Sequence, residues 1–230
     1  SFYTHFQLPA SKTVRICETL IQLNWEESNL NINDYGIVPD TQNLPGIPAR
    51  VTAVHKERYE IVCEYGTTYA RLKTKEYYVG AQTFPTAGDF VMINYISSGD
   101  SQIVATLPRR TFFARREPGT AVRDQAVAAN FDYVFIMQSL NMDFNLKRLE
   151  RYLTLAWQSG ATPVVLLTKA DLVEDYWDYL TQVERVALGV NTHVVSAHTG
   201  QGLSRLNAYL QPGKTVVFLG SSGVGKSSLV

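Results

Sequence analysis

Residues 214–230, K-T-V-V-F-L-G-S-S-G-V-G-K-S-S-L-V, hold the residue types best suited to chemistry in this chain. Gly220-Ser221-Ser222-Gly223-Val224-Gly225-Lys226-Ser227 fits G-x-x-x-x-G-K-[ST], the pattern of a phosphate-binding loop. The glycines let backbone N–H groups converge on phosphate oxygens with no Cβ in the way. Lys226 is expected to reach the β- and γ-phosphates, and the Ser227 hydroxyl to take one Mg²⁺ position. Ser228 follows where the next helix should begin, with its positive N-terminus facing the phosphates. A Gly/Ser-rich loop between strand and helix could match this pattern by chance. The apolar, β-branched run Thr215–Leu219 argues otherwise, because it predicts a buried parallel strand leading into the loop.

That strand needs a sheet around it, and residues 131–213 supply the pattern. Residues 131–138 predict a buried strand. Leu146, Leu149, Tyr152, Leu153, Ala156 and Trp157 form a helical stripe that Gly160 should end. Residues 163–167 predict the next strand, 173–188 a helix, 193–196 a strand and 202–210 a short helix. Alternation of this kind implies a doubly wound, three-layer α/β fold with ligands at the C-terminal ends of parallel strands.

Ahead of it the period changes to that of strands. Residues 49–54, 59–65, 67–75, 89–96 and 102–107 alternate apolar and polar, with turn signals between them. Five short strands predict a small all-β barrel of the oligonucleotide-binding (OB) type, spanning 41–107. Such barrels bind single strands through aromatic and basic residues, and Tyr65, Tyr69, Arg71, Lys73, Lys75, Tyr77 and Tyr78 have the right types. The same residues also simply suit strands and their edges. Residues 108–130 read as a basic linker, with Arg109, Arg110, Arg115, Arg116 and Arg123 against Glu117 and Asp124, and a turn or flexible point at Pro118-Gly119. Residues 1–40 read as an extension, in which Ser11 could cap a helix carrying Val14, Cys17, Leu20 and Ile21. It is assigned no chemistry, and a docking helix and a mobile arm both fit it.

Two further motifs follow predicted strands of the α/β half: Thr168-Lys169-Ala170-Asp171 and Ser196-Ala197-His198. Taken singly they could be surface residues, with Asp171 favouring a helix N-terminus. Together they resemble N-K-x-D and S-A-K, the guanine-reading motifs of GTPases. Guanine presents N1–H and N2–H₂ side by side, and one fixed carboxylate, Asp171, would accept both. The Lys169 stem would cover one face of the base, and the Ala197 N–H would bond O6. In ordinary GTPases the phosphate loop comes first. Here both base-reading motifs precede it, the order of a circularly permuted GTPase domain, over residues 131–230. With a barrel in front, residues 45 to 230 resemble the ribosome small subunit-dependent GTPases; G-S-S-G-V-G-K-S-S-L-V and Asn130-Phe131-Asp132-Tyr133-Val134-Phe135 carry the likeness.

The resemblance implies GTP and GDP binding with Mg²⁺, and GTP hydrolysis stimulated by the small ribosomal subunit during its late maturation. It implies contact with ribosomal RNA through the barrel, and zinc in a C-terminal domain beyond this sequence. Thr168 stands where the pattern has Asn, and His198 where it has Lys. The D-x-x-G motif and the switch threonine do not occur where the family has them, after the phosphate loop, so no general base is named. Because such a domain needs more sheet beyond the loop, the sequence is expected to be a piece of a longer protein. A phosphate-loop ATPase and an RNA-binding module with a vestigial nucleotide site are the alternatives.

The bulk numbers agree with a folded, two-part chain. At 230 residues and 45% hydrophobic it can bury a core, and 18% charged residues exclude a charge-driven disordered chain. Formal net charge is zero, so nucleic acid would have to meet a local patch rather than a global basic field. Cys17 and Cys63 lack metal-ligand spacing and suit reduced cytosolic thiols. With no membrane-length apolar run and no signal-peptide layout, the expectation is a cytoplasmic monomer that does not meet a membrane.

Overall fold

Alternating apolar residues in 47–106 close a sheet on itself. The structure, a computed structural model, describes residues 2–7, 13–16, 32–36, 40–41, 44–56, 58–73, 84–116 and 124–229. Strands β3 (Ile47–His55), β4 (Arg58–Cys63), β5 (Gly66–Leu72), β6 (Phe90–Asn94) and β7 (Ser101–Thr106) form a closed barrel in the order β3-β4-β5-β7-β6. Only β5 and β7 pair in parallel. Inward residues Val51, Ile61, Ala70, Val91, Ile93 and Ile103 fill its core. Register shifts at Val51/Ala53 and Met92/Ile93 bend the strands enough to close the ring.

The stretch read as a basic linker is largely a hairpin. Strands β8 (Phe112–Arg116) and β9 (Asp124–Ala129) pair antiparallel, and Pro118-Gly119 lies outside the described residues. Burial rather than charge decides this. Phe113 stacks on Phe131 with ring centroids 4.8 Å apart, and Ala128 and Ala129 are fully buried. Arginines of this stretch face acids of the fold. Arg109 grips the buried Asp89 through two bonds of 2.8 and 2.6 Å, and Arg110 sits 3.7 Å from Asp132.

One buried cation joins barrel to sheet. Arg50 of β3, 1% exposed, donates to the Asn130 carbonyl at 2.8 Å and to Thr215 Oγ1 at 3.1 Å. Its guanidinium lies 4.7 Å from the Phe90 ring centre. Burial pulls its pKa down to about 9, which still leaves it charged at neutral pH. Asn130 holds a left-handed φ of 53° and ties both neighbours, donating to the Gly88 carbonyl and accepting from the Arg110 N–H. Gly88 is needed at this join, since a Cβ there would run into the Ala129 carbonyl.

The second half is a six-stranded sheet with elements on both faces. Its order is β12 (Asn191–Val194), β11 (Thr162–Thr168), β10 (Tyr133–Ser139), β13 (Thr215–Leu219), β1 (Phe2–Gln7) and β2 (Thr13–Ile16). The first four are parallel, and β1 and β2 add antiparallel. Thr13–Ile16 is therefore a strand, where a helix capped by Ser11 was expected. Three of its four residues are β-branched, which favours the extended backbone that β1 pairs with. Cys17, Leu20 and Ile21 of that expected helix lie outside the described residues.

Helices α1 (Leu146–Ser159) and α2 (Trp177–Val186) cover one face, burying Leu149, Leu153, Ala156 and Val183. Asn145 caps α1 and Gly160 ends it at φ 84°. Helix α2 starts later than 173. The 3-10 turn Ala170–Leu172 takes the chain out of β11, and Asp175 accepts the Trp177 N–H at 2.9 Å. On the other face Leu206 and Tyr209 pack on Phe135, Val216 and Phe218. Residues Leu203–Ala208 form a 3-10 turn where a short α-helix was expected. A last turn, α3 (Lys226–Leu229), opens after the phosphate loop. Among the described residues no helix is long and apolar enough to cross a membrane.

Candidate functional site

Parallel strands β13, β10, β11 and β12 all end on one edge, so the segments that follow them meet there. Register makes this concrete. Ile136 faces Leu219, and Ser139 faces Thr168. The loop after β13, the loop after β10 and the turn after β11 therefore lie side by side.

Residues 220–225 form the loop after β13. Gly223 and Gly225 take φ of 74° and 103°, values that a residue with a Cβ adopts only with strain. Val224 is buried and anchors the loop, while Ser222, Gly223, Ser227 and Ser228 are exposed. Lys226 is 6% exposed. Its ammonium donates to the Gly220 carbonyl at 2.8 Å and the Ser221 carbonyl at 2.6 Å. The side chain thus folds back over its own loop, which places a positive charge at the start of that loop.

The turn after β11 is tied to this loop. Thr168, 3% exposed, donates its hydroxyl to the Val224 carbonyl at 2.7 Å, and the Gln138 carbonyl lies 3.4 Å from the same oxygen. Lys169 turns the chain with a left-handed φ of 60°. The Ala170 N–H then bonds the Val195 carbonyl at 3.2 Å, fastening the turn to the end of β12. These contacts leave Asp171 exposed on the same edge.

Ser196 holds that carboxylate. Its hydroxyl donates to Asp171 Oδ1 and accepts the Thr199 N–H at 3.2 Å. The bond from Ser196, with the nearby charges of His198 and Lys169, keeps the Asp171 carboxyl below the usual carboxylate range. The carboxylate is therefore ionised and oriented at neutral pH, an acceptor for two adjacent N–H donors. Ala197 and His198 follow as exposed residues. The structure so brings Thr168, Lys169, Ala170 and Asp171 next to Ser196, Ala197 and His198. Thr168 links this group to the loop of Gly220, Ser221, Ser222, Gly223, Val224, Gly225, Lys226, Ser227 and Ser228.

The donor set suits a nucleoside phosphate and a hard cation. The ammonium and backbone N–H groups of such a loop are donors that anionic oxygens accept, and the exposed Ser227 hydroxyl is an oxygen ligand of the kind Mg²⁺ accepts. Among the described residues no group of three or more His, Cys, Asp or Glu could hold a metal ion.

Sequence reasoning missed the loop after β10. Asn141 turns it, accepting from Ser139 Oγ at 2.8 Å and from the Asp143 N–H at 3.0 Å. Asp143 then accepts the Ser221 hydroxyl of the phosphate loop. A usable signal was the strand order: β10 lies between β11 and β13, so polar residues just after it must border the segments that follow both. On the barrel, exposed Tyr65 and Tyr95 lie with ring centres 4.4 Å apart, and Arg58 covers Tyr69 at 3.9 Å. Asp100 holds Arg58 and Arg71 at 2.7 Å each. Lys75, Tyr77 and Tyr78 lie outside the described residues.

Known proteins resemble this chain in sequence and fold. The family model of the RsgA GTPase matches residues 106–230. A Listeria monocytogenes protein named small ribosomal subunit biogenesis GTPase RsgA 1 is 50% identical over 182 residues, covering 79% of this chain and 51% of that protein. A Lactiplantibacillus plantarum protein named small ribosomal subunit biogenesis GTPase RsgA 2 is 41% identical over 212 residues, covering 87% of this chain and 59% of its own. The chain thus spans about half the length of the curated relatives it matches. Among solved structures, YjeQ from Thermotoga maritima superposes with a TM-score of 0.64 at 26% identity, over 80% of this chain and 63% of that one. YloQ, described as a circularly permuted GTPase, does so at 0.61 and 19% identity, over 83% and 65%, a likeness of fold.

Proposed function

The chain belongs to the RsgA GTPase family, and from that premise we propose that it binds and hydrolyses GTP as a factor in small ribosomal subunit biogenesis. The observation that carries this reading is the joining of base-side and phosphate-side motifs at one sheet edge, through Thr168 on Val224 and Ser196 on Asp171. Asp171 accepts guanine N1–H and N2–H₂, the Lys169 stem covers the base, and the Ala197 N–H meets O6. The loop from Gly220 to Ser228 cradles the phosphates. The Ser227 hydroxyl would hold Mg²⁺, which would supply positive charge against the negative charge of the phosphates. Lys226 sits fixed before nucleotide arrives, so its charge opposes the negative charge that grows as water attacks, at little reorganisation cost.

The barrel meets ribosomal RNA in this reading. Tyr65 and Tyr95 offer faces for bases, and Arg58, Arg71 and Lys73 are exposed on the same barrel as positive charge for phosphates. The protein acts in the cytoplasm as a monomer on the small subunit, whose contact orders the catalytic segments and speeds turnover. The test is GTP hydrolysis by full-length protein with and without small ribosomal subunits, alongside Lys226→Ala. Slow turnover, strong stimulation and loss of hydrolysis in the variant are expected. Turnover that ignores the subunit, or that survives Lys226→Ala, would overturn the reading.

A further inference from the structure

The phosphate loop is held from one side by a carboxylate that the nucleotide does not need. Asn141 turns the chain after β10 so that Asp143 faces Ser221, whose hydroxyl donates to Asp143 Oδ2. Arg148, from the first turn of α1, grips Asp143 from the other side. Its Nη1 donates to Oδ1 at 3.1 Å, its Nη2 lies 3.0 Å from Oδ2, and Nη2 also donates to the Asp143 carbonyl. Beyond Ser221, the carbonyl of that same residue accepts the Lys226 ammonium at 2.6 Å. An unbroken series therefore runs from Arg148 through Asp143 and Ser221 to Lys226.

A lone carboxylate beside an anion site would repel phosphate. Arg148 offsets that charge from the inner side of the pair, where its own side chain is 17% exposed, while that of Asp143 is 41% exposed. What remains of Asp143 at the site is its grip on Ser221. Apart from this grip, Ser221 is held among the described residues only through its carbonyl, by the Lys226 ammonium and by the Val224 N–H at 3.4 Å, and its neighbours Ser222 and Gly223 are exposed. If Ser221 turned, the carbonyl that steadies Lys226 would turn with it.

We propose that Asp143 is a positioning residue of the phosphate loop: braced by Arg148, it fixes Ser221 so that the Lys226 ammonium stays aimed at the phosphates. The proposal rests on the nucleotide reading above. It makes Asp143 act on the phosphates only, and never on the base.

The test compares wild type, Asp143→Ala, Ser221→Ala, the double variant and Asp143→Asn as full-length proteins. GTP turnover is measured with each, and GDP and guanosine affinities by displacement of a fluorescent GDP. Each single alanine variant should lose about tenfold in kcat and GDP affinity together, the effect of one hydrogen bond to a charged group. Guanosine affinity should hold. The double variant should be no worse than either single, because both remove one contact. Asp143→Asn, which keeps an acceptor for Ser221 but loses the ion pair, should fall between. Additive losses, unchanged GDP binding and turnover, or an equal loss for guanosine would each overturn the proposal. Wild-type protein without guanine nucleotide affinity would overturn the nucleotide reading as well, and that result is visible before any variant is compared.

Discussion

Thr168→Val removes one hydroxyl and keeps the shape of the side chain. Thr168 is 3% exposed and Val224 is fully buried, so the 2.7 Å bond between them lies out of water. A buried carbonyl that loses its donor costs about 1–3 kcal/mol. The free loop can escape most of this by tilting Val224 toward solvent. Nucleotide would then have to draw the loop back, and the cost would reappear as lost affinity of about 5- to 150-fold. Calorimetry with GDP measures it directly. Thr168→Ser retains the donor and should bind like wild type. The preference for GDP over ADP should persist in both variants, since Asp171 keeps its bond from Ser196. GDP affinity within about twofold of wild type in Thr168→Val would show that the base-side turn does not hold the phosphate loop.

Ser196→Ala should raise the Asp171 carboxyl toward the ordinary range. In wild type the Ser196 bond lowers it, so the stabilisation is present at neutral pH and lost as pH falls through that lowered value. Carboxyl-carbon titration by NMR checks this, and equal midpoints in the two proteins would refute it. Arg50→Ala should destabilise the protein by about 2–4 kcal/mol in denaturant, since it opens a void beside Phe90 and strips donors from the Asn130 carbonyl and Thr215. Arg50→Met, which refills the space, should recover part of the loss; an alanine variant as stable as wild type would mean the barrel does not rest on this side chain.

The elements that could be read from sequence are those whose pattern is local and sustained. The five barrel strands are short runs set apart by turns. Helix α1 carries its own cap at Asn145 and its own stop at Gly160. The β13 strand and the loop after it form a motif complete in itself. The hairpin β8–β9 was hidden because its arginines suggested a basic linker, whereas Phe113 finds its partner, Phe131, only in the fold. Strand β2 was hidden because four residues show a period only once β1 lies beside them. At the site, motif residues could be named from their types, but not what holds them. Thr168 and Val224, Asp171 and Ser196, and Asp143 and Ser221 are each far apart in the chain, and only the strand order brings them together.

The central claim is that Asp171 and the loop around Lys226 form one guanine nucleotide site. Calorimetry of full-length protein in Mg²⁺, with GDP, GTP and ATP, tests it most directly when Asp171→Asn is run in parallel. The account predicts binding of GDP and GTP without ATP. In the variant it predicts a loss of about a hundredfold for GDP and a gain for xanthosine nucleotides, whose pattern the amide can meet. Equal affinity for ATP and GTP would contradict it and point to a phosphate-loop ATPase. Salt-sensitive RNA binding with no nucleotide affinity would contradict it too, leaving the barrel as the functional half.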